Sequence, residues 1–220
     1  MPAASPHPRA VAGREADGDP ARGRIIFLNG ATSSGKTSIA EHLLALLDAP
    51  YFYLQVDAIN AMRARPPTLR LRPEQLELVL ERTVLGFHRA VAGMAAAGNP
   101  ILVDHVLREP SWLLDCLALF AGGDVVFVGV HCPLAELERR ERARGDRELG
   151  RVAYHFARVH RHGSYDVEVD TSTSSPHACA VEILDFLARP VTSRAFDQLR
   201  KAHLPACPGA LEGGAAAGQE

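Results

Sequence analysis

The chain has 220 residues, 47% of them hydrophobic, and a formal net charge of −2. This length suits one domain with a full core, and the charge balance gives no general electrostatic case for a nucleic-acid or membrane partner. No apolar run approaches the length of a membrane span, and the first residues lack the apolar region of a secretory signal. The cysteines, Cys116, Cys132, Cys179 and Cys207, show no metal-ligand spacing, which indicates free thiols in a cytoplasmic protein.

Short apolar stretches alternate with amphipathic ones along the chain. We expect strands over 24–29, 51–56, 100–104, 124–131 and 167–170. Helices are predicted over 38–47, 58–62, 73–97 and 110–120, from 133 into an arginine-rich stretch, over 176–187 and over 193–203. This alternation predicts an α/β fold with a parallel sheet covered by helices on both faces. Residues 1–22 are expected to be a disordered leader, and 191–220 a short helix with a disordered tail.

A glycine-bounded loop follows the first strand. Residues 30–37 read Gly-Ala-Thr-Ser-Ser-Gly-Lys-Thr and fit G-x-x-x-x-G-K-[ST], the phosphate-binding loop, between a buried strand and a helix. Its glycines would let the backbone approach phosphates, and its N–H groups would point at them. We expect Lys36 to reach the β- and γ-phosphates of ATP and Thr37 to ligate Mg²⁺. The predicted nucleotide-binding residues are Gly30, Ala31, Thr32, Ser33, Ser34, Gly35, Lys36, Thr37 and Ser38.

Two carboxylates stand at predicted strand ends, where ligands bind in open α/β sheets. Asp57 is predicted to orient an acceptor hydroxyl and accept its proton, although the position also suits a helix N-cap. Asp104 is predicted to hold Mg²⁺ through water beside Thr37, with a turn or cap as the alternative. The sequence leaves open which of the two is base and which metal ligand. His105 is expected in a loop or against substrate. The aromatic residues Tyr51, Phe52, Tyr53 and Trp112 are expected in the core.

Arginines crowd the stretch from 139 to 151. Because guanidinium groups fit phosphate oxygens, Arg140, Arg144 and Arg147 are predicted to form a lid over ATP and to stabilise the transferring phosphoryl group. Arg139 and Arg142 are assigned instead to a solvated helix face. Interleaved acidic residues make nucleic-acid binding the weaker interpretation of this stretch.

On these motifs the chain resembles the chloramphenicol phosphotransferase-like family. The resemblance runs from about residue 24 to 188 and includes Ile-Phe-Leu-Asn-Gly at 26–30, Val56-Asp57, Val103-Asp104, Ala-Arg-Gly-Asp-Arg at 143–147 and Tyr-Asp-Val-Glu-Val-Asp-Thr at 165–171. It implies a three-layer, nucleotide-kinase-like P-loop domain over 23–190, with ATP and Mg²⁺ as cofactors. It also implies transfer of the γ-phosphoryl group to a small-molecule hydroxyl, with Asp57 as base and the arginine stretch as lid. The family's named activity phosphorylates the primary 3-hydroxyl of chloramphenicol.

The sequence departs from this pattern where an acceptor would be chosen. His105 stands where a second acidic residue is expected, and the nearby Arg63, Arg65 and Arg70 favour either an anionic acceptor or a solvated loop. The acceptor is therefore left open between a chloramphenicol-like molecule, a sugar acid, a nucleoside and a polynucleotide end. A nucleotide-binding regulator that transfers no phosphate is the other alternative, and the oligomeric state is not given by the sequence.

Overall fold

The computed structural model describes residues 22–64, 66, 68–144, 150–190 and 193–204. The strands are β1 (Ile25–Asn29), β2 (Phe52–Gln55), β3 (Ile101–His105), β4 (Val125–His131) and β5 (Val167–Asp170). The helices are α1 (Lys36–Leu46), α2 (Val56–Ala61), α3 (Pro73–Ala96), α4 (Pro110–Leu119), α5 (Leu134–Arg144), α6 (Arg151–Val159), α7 (Pro176–Leu187) and α8 (Ala195–His203). Among these helices, none combines the length and the apolar composition that crossing a bilayer requires.

The five strands form one parallel sheet in the order β2-β3-β1-β4-β5. The connection after β1 leads to β2 on one side, and the connection after β3 passes over β1 to β4 on the other. The carboxyl end of β1 therefore lies at the point where the chain direction across the sheet reverses, which is where such sheets bind ligands. The predicted α/β fold with a five-stranded parallel sheet is confirmed.

Strand β1 is buried on both faces, and its side chains divide between two cores. Ile25 and Phe27 belong to the core formed with α3, α4 and α8, whereas Ile26 and Leu28 belong to the core formed with α1 and α7. The alternation follows from the two-residue period of a strand. Each large apolar side chain buried in this way contributes about 1.5–3 kcal/mol to folding.

Edge strand β2 differs from its predicted form. It ends at Gln55, so that Asp57 lies in the first turn of α2 rather than at the last position of a strand. Because β2 has a neighbour on one side only, Phe52 is 47% exposed. The prediction that Phe52 is a core residue is therefore wrong. The buried Trp112 confirms its predicted place in the core.

Two further differences bear on the site. His105 was expected in a loop, but it is the buried last residue of β3, because β3 pairs with β1 as far as Asn29. Helix α6 was not predicted. Its sequence follows directly on the arginine-rich stretch, and its apolar face, formed by Val152 and Val159, was not recognised there.

Replacing Phe27 by Ala is expected to lower the free energy of unfolding by about 3–5 kcal/mol, because the fully buried ring leaves a cavity. The change Phe52→Ala serves as the matched control and should cost clearly less, since that ring is half exposed. Urea unfolding followed by circular dichroism measures both losses. Equal losses would contradict the place given to Phe27 at the centre of the core.

Candidate active site

The loop between β1 and α1 is shaped by close contacts and unusual backbone angles. A Cβ atom on Gly30 would lie 2.5 Å from the backbone oxygen of Val130, so that only glycine fits there. Ser33 and Gly35 have positive φ angles of 64° and 92°. Within the described chain, α1 has no side-chain N-cap and no acidic residue in its first turn. Its first N–H groups therefore face the loop without a protein anion, as a phosphate site requires.

Lys36 is folded back over this loop. Its Nζ donates hydrogen bonds to the backbone oxygens of Gly30, at 3.0 Å, and Ala31, at 2.9 Å. The same nitrogen lies 3.7 Å from a carboxylate oxygen of Asp104. The residue is only 6% exposed, and these partners compensate the cost of burying its charge. The structure thus places a buried cation at the floor of the loop, next to one carboxylate.

Asp104 gathers hydroxyl groups from two other elements. Its Oδ2 accepts from Thr37 Oγ1 at 3.0 Å and from the Tyr53 hydroxyl at 3.3 Å. Burial, and then the negative charge of Asp104, raise the pKa of Tyr53 to about 12, so that the phenol remains a donor at neutral pH. Sequence reasoning placed Tyr53 in the core and missed this contact. Gln55 pairs with Asp104 in the sheet, and Tyr53, two residues before Gln55, lies on the same face. This strand pairing cannot be read from local sequence.

The pair formed by Thr37 and Asp104 fits a magnesium ion. A hydroxyl oxygen and a carboxylate oxygen are the hard ligands that Mg²⁺ takes, usually together with water and phosphate oxygens. In the described part of the chain, no group of three or more His, Cys, Asp or Glu side chains could hold a metal. The geometry therefore suits an ion shared with a bound phosphate rather than a closed metal centre.

Asp57 follows β2, the strand that carries Tyr53. It is exposed in the first turn of α2, two residues beyond Gln55, which is the register partner of Asp104. Helix α2 thus begins at the carboxyl edge of the sheet, on the side of β2. Asp57 therefore lies beyond the end of β2, on the side of the sheet where such folds bind ligands.

Arg140, on α5, is fixed against the back of the phosphate loop. Its guanidinium donates to Thr171 Oγ1 at 3.0 Å and to the Thr171 backbone oxygen at 2.8 Å, and it ion-pairs with Glu136. The Thr171 hydroxyl in turn donates to the backbone oxygen of Ser34 at 2.8 Å. Thr171 was missed as a site residue, although it closes the Tyr-Asp-Val-Glu-Val-Asp-Thr motif. Arg140 therefore contacts the loop backbone, through Thr171, rather than projecting freely.

The other predicted lid arginines stand apart from this contact. Arg144 is exposed at the last position of α5, and Arg147 lies outside the described residues. Arg139 ion-pairs with Glu136 on the exposed side of α5, as expected for a solvated helix face. Buried Glu141 accepts hydrogen bonds from the backbone N–H groups of Gly150 and Val152, both at 3.1 Å. This carboxylate joins α5 to the start of α6, and no sequence pattern indicated it.

A buried polar network supports the loop from behind. Asn29, at the end of β1, donates to the backbone oxygen of Val159 at 2.9 Å and to the Tyr165 hydroxyl at 2.8 Å. Tyr165 also shares a hydrogen bond with His160. Thr32, within the loop, shares a 2.7 Å hydrogen bond with His155 of α6. These contacts tie the end of β1 and the phosphate loop to α6 and to the segment that follows it.

Comparisons with known proteins agree with this geometry. A family model described as chloramphenicol phosphotransferase-like protein matches residues 23–188. A Mycobacterium tuberculosis protein named "Putative O-phosphotransferase" is 30% identical over 202 residues, covering 83% of this chain and 90% of the relative. The M. tuberculosis APS kinase in complex with AMPPNP and APS is 20% identical with a TM-score of 0.58, covering 77% of this chain and all of that one. The Deinococcus radiodurans tunicamycin resistance protein is 18% identical with a TM-score of 0.53, covering 77% and 98%.

At these low identities the two solved structures show the shared fold alone. The fold and the phosphate loop define a P-loop kinase, that is, a phosphotransferase with a nucleotide site at the carboxyl end of its first strand. The family match spans well over half of the sequence, and the chain belongs to the chloramphenicol phosphotransferase-like family. The resemblance found in the sequence motifs is thereby confirmed.

Acidification is expected to destabilise the protein through two partly buried histidines behind the loop, His160 and His162. Burial, and then the neighbouring His131, lower the pKa of His160 to about 3, and burial lowers that of His162 to about 4. The unfolded chain takes up these protons near pH 6.5, so it binds more protons than the folded state between that pH and the lowered values. Stability should therefore fall as the pH falls through this window.

The substitution His160→Gln should reduce the slope of the unfolding free energy against pH between pH 6.5 and 4. The reduction should correspond to the uptake of up to about one proton on unfolding. The exposed His42→Gln serves as the control. Urea midpoints measured at several pH values give the slope. A slope unchanged by His160→Gln would contradict a neutral, partly buried imidazole at this position.

Proposed function

We propose that this protein transfers the γ-phosphoryl group of Mg²⁺-bound ATP to a hydroxyl group of a small molecule. The observation that carries the proposal is the meeting of Lys36, Thr37 and Asp104 at the phosphate loop, within reach of one another. A cation, a hydroxyl and a carboxylate at this point are the groups that phosphoryl transfer from a nucleotide requires. The family membership supports the same reaction class.

The nucleotide phosphates would be held by the residues from Gly30 to Ser38. Lys36 satisfies its buried charge with loop carbonyls, and a bound β- or γ-phosphate offers it stronger, charged acceptors. Loop amides and the first turn of α1 would donate to the same oxygens. Because Arg140 and Thr171 already hold the backbone of Ser33 and Ser34, the loop is ordered before it meets its ligand.

Thr37 and Asp104 would hold the magnesium ion. When bound, Mg²⁺ supplies charge neutralisation at the β- and γ-phosphate oxygens. Tyr53 orients the Asp104 carboxylate through its hydroxyl, and Lys36 lies against the other oxygen of that group. Thr37, Tyr53 and Lys36 therefore leave the Asp104 carboxylate little freedom to rotate.

Asp57 is proposed as the general base. As the acceptor oxygen bonds to phosphorus, the proton of the acceptor hydroxyl would pass to the Asp57 carboxylate, and ADP would leave with the bridging oxygen. Of the three arginines first predicted as a lid, Arg140 is proposed to support the loop. Arg144 and Arg147 are proposed to approach the transferring group, since Arg144 ends the helix that packs Arg140 against the loop.

The substitution Asp57→Asn should lower phosphoryl transfer by about 10²- to 10⁴-fold, because it removes the base, and should leave nucleotide binding nearly intact. The exposed Asp48→Asn, which lies between the end of α1 and the start of β2, is the matched control. ADP release is measured with chloramphenicol and with panels of sugars, sugar acids and nucleosides, and Lys36→Ala provides the blank. Displacement of a fluorescent nucleotide measures binding separately.

The outcomes of this assay separate the alternatives. Chloramphenicol-stimulated release that disappears in Lys36→Ala would establish the family's named activity here. Stimulation by another compound would keep the kinase activity and identify a different acceptor. Normal turnover in Asp57→Asn would show that a different group is the base. Stoichiometric nucleotide binding without turnover on any acceptor would favour a regulatory protein instead.

The substitution Asp104→Asn should raise the Mg²⁺ concentration needed for half-maximal ADP release by on the order of tenfold, because a neutral amide is a poorer ligand than a carboxylate. Tyr53→Phe removes only the hydroxyl that orients Asp104 and should cause a smaller shift in the same direction. Magnesium titrations of both variants test the assignment. A metal dependence unchanged in Asp104→Asn would exclude Asp104 as a magnesium residue.

A further inference from the structure

A groove of about 500 Å³ lies between α2 and α3, apart from the phosphate loop. Its walls include the apolar side chains of Ile59, Met62 and Val79 and the guanidinium groups of Arg63 and Arg82. Pockets of this volume, largely apolar and with a few polar groups, are typical of small-molecule sites. The groove contains none of the residues assigned above to nucleotide, metal or base.

The apolar part of the groove is unusually open to water. Met62 is 76% exposed, and the chain that follows exposes four leucines, Leu69, Leu71, Leu76 and Leu78. Of these side chains, Met62 lines the groove, and an exposed apolar side chain gains free energy when a ligand covers it. The groove is therefore suited to the apolar body of a small molecule.

The polar part of the groove is positively charged. Arg63 donates to neutral acceptors only among the described residues, namely Asn60 Oδ1 at 2.9 Å, the Val79 backbone oxygen at 3.5 Å and Thr83 Oγ1. Arg82 is exposed, and the lining contains no acidic residue.

The nearest acid in sequence, Glu81, accepts from Trp112 Nε1 at 2.8 Å and is engaged with α4. Two guanidinium groups thus face an apolar groove without a described carboxylate to neutralise them. Charge complementarity favours an anionic ligand, since guanidinium forks bind carboxylate, sulfonate and phosphate oxygens.

We propose that the groove binds the acceptor and that the acceptor is a hydroxylated organic anion with an apolar body. This inference rests on the proposed function. Helix α2 carries both the groove residue Ile59 and the proposed base Asp57, and its six residues span about 9 Å. Because residues two apart in a helix lie on different faces, a small molecule held in the groove would have to extend past the first turn of α2 for its hydroxyl to reach that carboxylate. The anionic end would rest on Arg63 and Arg82.

Two glycines of α3 provide a matched pair of variants. Gly86 lines the groove and Gly93 does not, and a Cβ atom at either position would meet nothing within 4 Å. Both lie inside a helix without positive φ angles, so leucine should be accepted and should even favour the helix by up to about 1 kcal/mol. Gly86→Leu is expected to fill the groove, while Gly93→Leu leaves it open.

The binding test uses two fluorescent probes with the same aromatic body, anionic 8-anilinonaphthalene-1-sulfonate and neutral N-phenyl-1-naphthylamine. The wild-type protein and Gly93→Leu should bind the anionic probe at least about tenfold more tightly than the neutral one. Gly86→Leu should weaken the anionic probe at least about tenfold, and Arg82→Gln should reduce its affinity to that of the neutral probe. Equal affinities for both probes, or unchanged binding in Gly86→Leu, would overturn the anion site.

The acceptor role is tested separately with 4-(hydroxymethyl)benzoate and its methyl ester, which differ in charge but share the hydroxyl. Lys36-dependent ADP release should be stimulated more by the carboxylate, and Gly86→Leu should abolish the difference. If the sulfonate probe binds as expected but no anion stimulates release, the groove binds anions and the acceptor claim is wrong. If neither these two compounds nor any member of the acceptor panel stimulates release, the proposed function itself fails.

Discussion

The structure depends on the complete burial of β1 between β3 and β4. With both faces of the strand covered by helices, no polar side chain can be placed along it before Asn29. Polar side chains on β1 and β3 therefore begin at the carboxyl edge, where Asp104 pairs with Leu28 and Asn29 pairs with His105, one position before the phosphate loop. A buried polar group must find partners, and this requirement fixes Asn29 to Val159 and Tyr165. The core thereby determines where the chemistry lies and also which elements surround it.

The charged side chains around the phosphate loop are few, and each has defined partners. One buried cation, Lys36, faces one carboxylate, Asp104, and hydroxyl groups from α1 and β2 complete the shell of that carboxylate. A second cation, Arg140, holds the loop from behind through Thr171. Removing a single member would leave a partner buried and unsatisfied, so the cluster is expected to behave as a unit rather than as a sum of contacts. Such preorganisation reduces the rearrangement that nucleotide binding would need.

Sequence reasoning recovered what local pattern encodes. The phosphate loop has a fixed spacing, and the strands and most helices have short periods that can be read from apolar residues alone. What it missed depends on contacts between distant segments: Tyr53 meets Asp104 only through the sheet register, and Thr171 meets Ser34 across 137 positions. Helix α6 escaped because arginines dominate the stretch before it. Arg140 was singled out from charge, but its partners could not be known before α5 was placed against the loop.

Glu141 has a consequence for how the arginine stretch could vary. Its buried carboxylate holds the backbone at Gly150 and Val152 from a position on α5, so the two ends of segment 145–149 are fixed by a contact that involves none of its side chains. Residues inserted between Arg144 and Gly150 would lengthen the chain between these two joined helices, and closure entropy rises by only about 0.6 kcal/mol for each doubling of length. The connection could therefore be lengthened while the sheet and the phosphate loop keep their places. A single side chain, Glu141, would then keep α5 and α6 together while the chain between them varies.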